Sequence, residues 1–250
     1  MKALITGASS GIGRDMAKIL SKMGYELFIV ARSEDKLIEL KNELKTKTEY
    51  LVYDLSLPNS CFELYEKLKN ENIDILINNA GYGIFGEFSQ TSLEDEINMI
   101  DLNIKSVHIL SKLFLKDFIK RDSGYILNVA SMAGLMSGGP MLSSYYASKS
   151  YVFKLSASIY EELRRSKSNV SISVLCPGPV DTGFNNRAGV SFSAKSYDSY
   201  KTSEYALKNM FRKKLIIVMG TRMKLAVFGK RFISEKLLTA ITYNYQNNKK

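Results

Sequence analysis

Tyr145 and Lys149 stand four residues apart in the run Tyr-Tyr-Ala-Ser-Lys, so on a helix they share one face. A phenol beside an ammonium is an acid–base device: it can give a proton to an oxygen on which negative charge is building, and take it back in reverse. An ordinary tyrosine, pKa ~10, has to fall by roughly 2–3 units to work both ways near neutrality, and the lysine charge is the obvious source of that shift. Spacing alone proves little. With 15 Tyr and 26 Lys in 250 residues, chance gives about 1.6 such pairs, and four occur: Tyr65 with Lys69, Tyr145 with Lys149, Tyr197 with Lys201 and Tyr245 with Lys249. Context separates one of them. Only Tyr145 follows closely on a buried-strand pattern ending in a hydroxyl, Asn128-Val129-Ala130-Ser131, on the edge where an open α/β sheet takes its ligands.

A second group of residues suits a phosphate. Thr6-Gly7-Ala8-Ser9-Ser10-Gly11-Ile12-Gly13 follows a short apolar run and opens an amphipathic stretch. Glycines there let the backbone turn tightly and approach a ligand, while the helix that begins there aims free N–H groups and its positive dipole end at an anion. The next apolar run ends on Ala31 and Arg32, where a dinucleotide fold selective for NAD carries an acid for the adenosine ribose. A guanidinium cannot accept those bonds but can clamp a 2′-phosphate, with Ser33 beside it as a further donor, so the position favours NADP(H) over NAD(H).

The elements that must position these residues show in the alternation of short apolar runs with longer amphipathic stretches, the pattern of parallel strands joined by crossover helices. Strands are predicted at Ala3–Thr6, Leu27–Ala31, Tyr50–Tyr53, Ile73–Ile77, Tyr125–Val129, Val170–Leu175 and Leu215–Met219, with helices near 12–23, 34–46, 59–71, 92–121 (two, or one bent), 145–165 and 202–212. No linker composition or internal repeat interrupts them. The reading is one domain over residues 1–250, a doubly wound seven-stranded parallel sheet in an α/β/α sandwich. The longest aliphatic run, Leu215 to Met219, falls far short of the ~18 residues a spanning helix needs. With no basic leader and cleavage site at the start, the expected location is cytoplasmic. Cys61 and Cys176 are read as two packed thiols, and His108, the only histidine, as structural.

In chain order these motifs resemble the short-chain dehydrogenase/reductase family over nearly the whole chain. The glycine motif TGxxxGxG is Thr6 to Gly13, NNAG is Asn78-Asn79-Ala80-Gly81, YxxxK is Tyr145 to Lys149, and the proline-glycine turn is Pro177-Gly178-Pro179-Val180-Asp181-Thr182. The resemblance implies an oxidoreductase that interconverts a small-molecule carbonyl and an alcohol, with Asn103, Ser131, Tyr145 and Lys149 as its catalytic residues. It implies that Ser131 hydrogen-bonds the substrate oxygen, that Lys149 also holds the nicotinamide ribose, and that Asn103 supports a water-linked proton path. NADP(H) would be held by Gly7, Ser9, Ser10, Gly11, Ile12, Gly13, Arg32, Asp54, Leu55, Asn79, Ala80, Gly81, Tyr145, Lys149, Pro177, Gly178 and Thr182, the last on the carboxamide. No metal is called for, and a homodimer or homotetramer is implied. Ser131 stands 14 residues before Tyr145 rather than the usual 13, and Gly138-Gly139 offers a place for the extra residue.

Substrate selection is expected in residues 183–212, with Phe184, Arg187, Phe192, Tyr197 and Tyr200, and Met132, Met136 and Met141 could form an adaptable apolar wall. The net charge of +10 is uneven: residues 1–200 balance 23 basic against 23 acidic side chains, while residues 201–250 hold 12 against 2. No nucleic-acid motif accompanies that charge, so nucleic acid is not an expected partner. The basic extension, residues 221–250, includes a mixed apolar and basic stretch at 222–241 that fits an amphipathic helix. Its apolar face could cover the pocket or a subunit contact. Alternatively it could lie weakly on an anionic membrane through Lys224, Lys230, Arg231 and Lys236. The competing function is a catalytically inactive NADP-sensing or scaffold protein on the same fold; an epimerase or dehydratase would want a larger substrate domain.

Overall fold

The inner strands of the sheet carry apolar side chains on both faces, and both faces are covered, while Val52 and Ile216 on the two edge strands are exposed. The computed structural model describes residues 1–182 and 196–247. Strands β1 (Lys2–Thr6), β2 (Glu26–Ala31), β3 (Thr48–Val52), β4 (Ile75–Asn78), β5 (Tyr125–Val129), β6 (Ser171–Leu175) and β7 (Ile216–Ile217) form one sheet in the order β3-β2-β1-β4-β5-β6-β7. Every adjacent pair is parallel. Successive side chains point to opposite faces, so Ala3, Ile5, Leu27, Ile29, Ile75 and Ile77 enter one core while Leu4, Phe28, Val30, Leu76 and Ile126 enter the other.

Helices α1 (Gly11–Lys22), α2 (Glu34–Glu43) and α7 (Ser199–Phe211) cover the first face, and α3 (Pro58–Leu68), α5 (Val107–Lys120) and α6 (Ser143–Arg165) the second. On α1 the buried residues Met16, Ala17, Ile19 and Leu20 recur at helical spacing against the sheet, each large aliphatic side chain contributing ~1.5–3 kcal/mol. The chain leaves β1 in one direction for β2 and β3 and in the other for β4 onward, so the strand order reverses between β1 and β4. Ligands of open α/β sheets bind at the carboxyl edge of such a switch point.

The seven-stranded sandwich expected from the sequence is present, with shifted boundaries. The third strand begins two residues earlier than the apolar run, and the seventh shrinks to Ile216–Ile217. The long helix near 92–121 is one bent rod: α4 (Leu93–Ile100) continues through a π-helical stretch, Asp101–Ser106, into α5 without leaving helical backbone angles. The single helix expected at 222–241 is instead two, α8 (Thr221–Gly229) and α9 (Glu235–Asn247). A 3₁₀ turn, Lys230–Phe232, and an extended Ile233 separate them, and the Ser234 hydroxyl accepts from the Leu237 amide at 3.4 Å to start the second. Cys61 and Cys176 are free and buried, and burial pushes both thiols up to about 12. His108 is exposed on α5 and pairs with the Tyr151 hydroxyl at 2.8 Å. No helix among the described residues is long and apolar enough to cross a membrane.

Candidate active site

The loops after β1 and β4 are locked together by one hydroxyl. Thr6 Oγ1 accepts from the amides of Asn79 at 3.0 Å and Ala80 at 3.1 Å and donates to the Ile77 carbonyl at 3.3 Å. In return Asn79 Nδ2 donates to the carbonyls of Thr6 and Gly7, both at 3.1 Å. Gly13 lies under this clamp, where a Cβ would fall 2.4 Å from Asn79 Nδ2 and 2.5 Å from the Gly7 carbonyl oxygen. Only glycine fits there, which explains the third glycine of the motif. The first turn of α1 carries no acidic side chain, leaving its dipole end to an anion.

A cavity of about 780 Å³ opens above these loops. It is lined by Gly7, Ser9, Ser10, Gly11, Ile12, Arg32, Asp54, Leu55, Asn79, Ala80, Gly81, Ser131, Tyr145, Lys149, Pro177, Gly178 and Thr182. Two of the expected site residues lie behind it. Gly13 sits beneath the glycine loop, and Asn103 is fully buried within the π-helical stretch. Asn103 Nδ2 donates to the Tyr82 carbonyl at 2.8 Å and to Ser148 Oγ at 3.1 Å, and its Oδ1 accepts from the Tyr82 amide at 3.1 Å. A Cβ on Gly81 would lie 2.7 Å from Asn103 Oδ1 and 3.1 Å from Lys149 Nζ, so the glycine is what lets Asn103 and the lysine approach each other. Ser148 was not expected; its hydroxyl accepts from Asn103 and donates to the Tyr145 carbonyl at 2.8 Å. A hydroxyl immediately before the lysine of the YxxxK run is the signal that could have found it.

Ser131, Tyr145 and Lys149 meet at one end of the cavity. Ser131 Oγ accepts from the Ala133 amide at 3.1 Å, and the Met132 amide donates to the Pro177 carbonyl at 2.8 Å, joining the loops after β5 and β6. Burial pushes the Tyr145 phenol up to about 12, against a hydrogen bond with Ser131 that lowers it. The Lys149 ammonium donates to the Val129 carbonyl at 3.1 Å and lies 5.9 Å from the Tyr145 ring centre. Burial brings it down to about 8, with the Cys176 sulfur acting the other way. The phenol therefore lies above its ordinary value and not below it, because desolvation, with the neighbouring Tyr146 acting the same way, outweighs the Ser131 hydrogen bond.

At the far end, Arg32 Nη1 stands 3.6 Å from Asp54 Oδ2. Burial would raise the Asp54 carboxyl, but hydrogen bonds from the Ser56 hydroxyl at 2.7 Å and amide at 3.0 Å, together with Arg32, hold it low. Ser33 and Lys36 complete a basic corner. Lys36 also escaped the sequence reading, though it stands four residues after Arg32 in the first turn of α2.

Among the expected substrate residues, Tyr197 lines the cavity, and Phe184, Arg187 and Phe192 lie outside the described residues. Tyr200 is not in the wall; its hydroxyl accepts from Lys22 Nζ at 3.0 Å on the α1 side. Met132 and Met136 line the wall and Met141 does not: it is buried, and its carbonyl accepts from the Gly86 amide at 2.8 Å. Met223, Leu238, Thr242 and Gln246 of the C-terminal extension close the cavity from above. Lys230, read from sequence as one of four outward cations, instead donates to the Leu135 carbonyl and ties the extension to the loop beneath it.

The short chain dehydrogenase family model matches residues 1–190. The very-long-chain 3-oxoacyl-CoA reductase of Mycosarcoma maydis is 32% identical over 179 residues, covering 68% of this chain and 51% of that protein. The chain thus matches about half the length of that relative. The 3-oxoacyl-[acyl-carrier-protein] reductase FabG of Rickettsia prowazekii is 31% identical over 185 residues, covering 74% of this chain and 75% of the other. Among solved structures, a short-chain dehydrogenase from Sphingobium yanoikuyae in complex with NADPH aligns with TM-score 0.82 at 29% identity, covering 92% of this chain and 93% of that one. Another from Burkholderia phymatum, in complex with NAD, aligns with TM-score 0.84 at 23% identity over 92% of both chains.

Proposed function

This chain belongs to the short-chain dehydrogenase/reductase family of oxidoreductases, and from that premise we propose that it interconverts a small-molecule carbonyl and an alcohol with NADP(H), Tyr145 acting as general acid and base. The observation that carries the reading is the convergence of Ser131, Tyr145 and Lys149 on one cavity whose other end is the glycine loop and a basic corner. The residues fit the cofactor: the first turn of α1, with glycines at 11 and 13 and no acidic side chain, offers nothing that would oppose a phosphate, and Arg32, Ser33 and Lys36 suit a 2′-phosphate. When bound, the cofactor supplies or accepts the hydride. Ser131 holds the substrate oxygen and Tyr145 delivers its proton. Lys149 stabilises the phenolate that remains, and Asn103, through Ser148 and the Tyr82 backbone, fixes the helix and loop on which the tyrosine and lysine depend. The sensor or scaffold alternative has no observation in its favour, since all four residues it could dispense with are present.

Residues 183–212 and the extension 221–250 are assigned the choice of substrate, because Tyr197, Met223 and Leu238 line the cavity together with Tyr146 and Gln246, which hydrogen-bond each other at 3.0 Å. The test is Tyr145→Phe. NADPH affinity by fluorescence titration is expected to stay within a factor of about two, while turnover of a carbonyl found by screening falls by ~10²-fold or more. Undiminished turnover in that variant overturns the assignment.

A further inference from the structure

We propose that the outer face of the C-terminal extension docks on an anionic membrane. The extension has two faces. Inward, Met223 and Leu238 close the cavity, Lys230 holds the Leu135 carbonyl, and Glu235 accepts from the Ser137 hydroxyl at 2.9 Å and the Gly138 amide at 3.3 Å. Outward, Leu225, Phe228, Phe232 and Leu237 are 64%, 57%, 76% and 55% exposed. The Phe228 and Phe232 rings meet edge to face at 5.5 Å, forming one aromatic knob, and the Arg231 guanidinium lies 6.0 Å from the Phe228 ring. Helix α8 meets the core only through the partly buried Met223 and Val227, and Leu225 and Phe228 stand exposed outside that contact.

Charge selects the occupant. Lys224, Arg231 and Lys236 are exposed alongside the apolar side chains, and the extension's one acid, Glu235, is engaged by the Ser137–Gly138 loop. A second copy packed symmetrically on this face would set these cations against their own equivalents, an arrangement that like charges oppose. Nucleic acid would satisfy the cations but leave the phenylalanines and leucines without a matching surface. A bilayer with anionic headgroups accepts both, taking the apolar side chains at the acyl boundary and the cations at the phosphates. The inward hydrogen bonds of Lys230 and Glu235 hold the rest of the segment over the cavity while the outer side chains face the lipid.

The test is flotation of the full chain with vesicles of phosphatidylcholine alone or with about 30% phosphatidylserine. At low salt the protein is expected to float with the anionic vesicles and not with the neutral ones, and to be released by near-molar salt. Phe228→Ser with Phe232→Ser, and separately Lys224→Glu with Arg231→Glu, are expected to lower the bound fraction by about tenfold or more. Circular dichroism and melting temperature, unchanged in these surface variants, establish that the fold is intact. Equal recovery below both kinds of vesicle overturns the proposal, as does full binding by either folded variant. A lipid-free dimer that becomes a monomer in the phenylalanine variant also overturns it, assigning the face to self-association. The readout is partition and not turnover, so its failure is distinct from a failure of the oxidoreductase reading.

Discussion

Arg32 and Asp54 are 50% and 36% exposed and 3.6 Å apart, a solvated pair of the kind that contributes little, so replacing the carboxylate by the proposed phosphate would cost little. Arg32→Asp is therefore expected to weaken NADPH binding by ~10–100-fold, the range of one charge-assisted contact, and to leave NADH binding unchanged or improved. Titration of both cofactors checks this, and equal affinity of the unaltered protein for the two would show that Arg32 does not select. A second expectation concerns the buried cation. Lys149 has a folded pKa of about 8 against an ordinary 10.5, so between those values the unfolded chain keeps a proton the folded chain has lost, and stability rises with pH. Tyr145 works oppositely. Its folded value of about 12 exceeds the ordinary 10.0, so stability falls as pH climbs through that higher window. Urea midpoints should increase from pH about 8 to about 10, the burial of the ammonium costing on the order of 3 kcal/mol at neutral pH. In Lys149→Met that rise should vanish. A rise of the same size in the variant would show that the lysine is not its source.

At the scale of elements, Thr6 carries more than its place at the end of a strand suggests. Its single hydroxyl serves two backbone amides and one carbonyl across the switch point, and it is 2% exposed. Thr6→Val keeps the shape but strands both amides, each worth ~1–3 kcal/mol when buried without a partner. The expected result is a loss of about 2–4 kcal/mol in chemical denaturation with weaker cofactor binding, and restoration of both by Thr6→Ser. Stability equal to the unaltered protein in Thr6→Val would show that water replaces the clamp. This joint was not legible in the sequence, where Thr6 was only the first letter of a glycine motif. What could be read were features that repeat locally: the strands with both faces apolar, the loop before α1, the helix carrying Tyr145 and Lys149. What could not be read depends on contacts far apart along the chain. Asn103 is held by Tyr82 and Ser148, Met141 is buried outside the cavity wall, and the extended Ile233 divides the predicted C-terminal helix. Periodicity alone gives no sign of any of these.

For the molecule as a whole, the cavity gathers loops from both halves of the sheet: Gly7 to Ile12 after β1, Arg32 after β2, Asp54 after β3, Asn79 to Tyr82 after β4, Ser131 after β5 and Pro177 to Thr182 after β6. A ligand held there bridges the switch point, so its binding free energy should stabilise the entire fold. At a hundredfold excess over Kd the gain is about 2.7 kcal/mol, which for a chain of this size raises the melting temperature by roughly 5–10 °C. With NADPH, scanning calorimetry of the full chain is expected to show one transition displaced by that amount, and with NADH at the same concentration a smaller displacement. Gly13→Ala should abolish the displacement, because its Cβ would sit 2.4 Å from Asn79 Nδ2 and 2.5 Å from the Gly7 carbonyl oxygen, forcing apart the clamp on which the glycine loop rests. If the melt instead splits into two transitions and NADPH moves only one, the halves of the sheet are not coupled through the cavity. If Gly13→Ala keeps the full displacement, the cofactor does not depend on this loop.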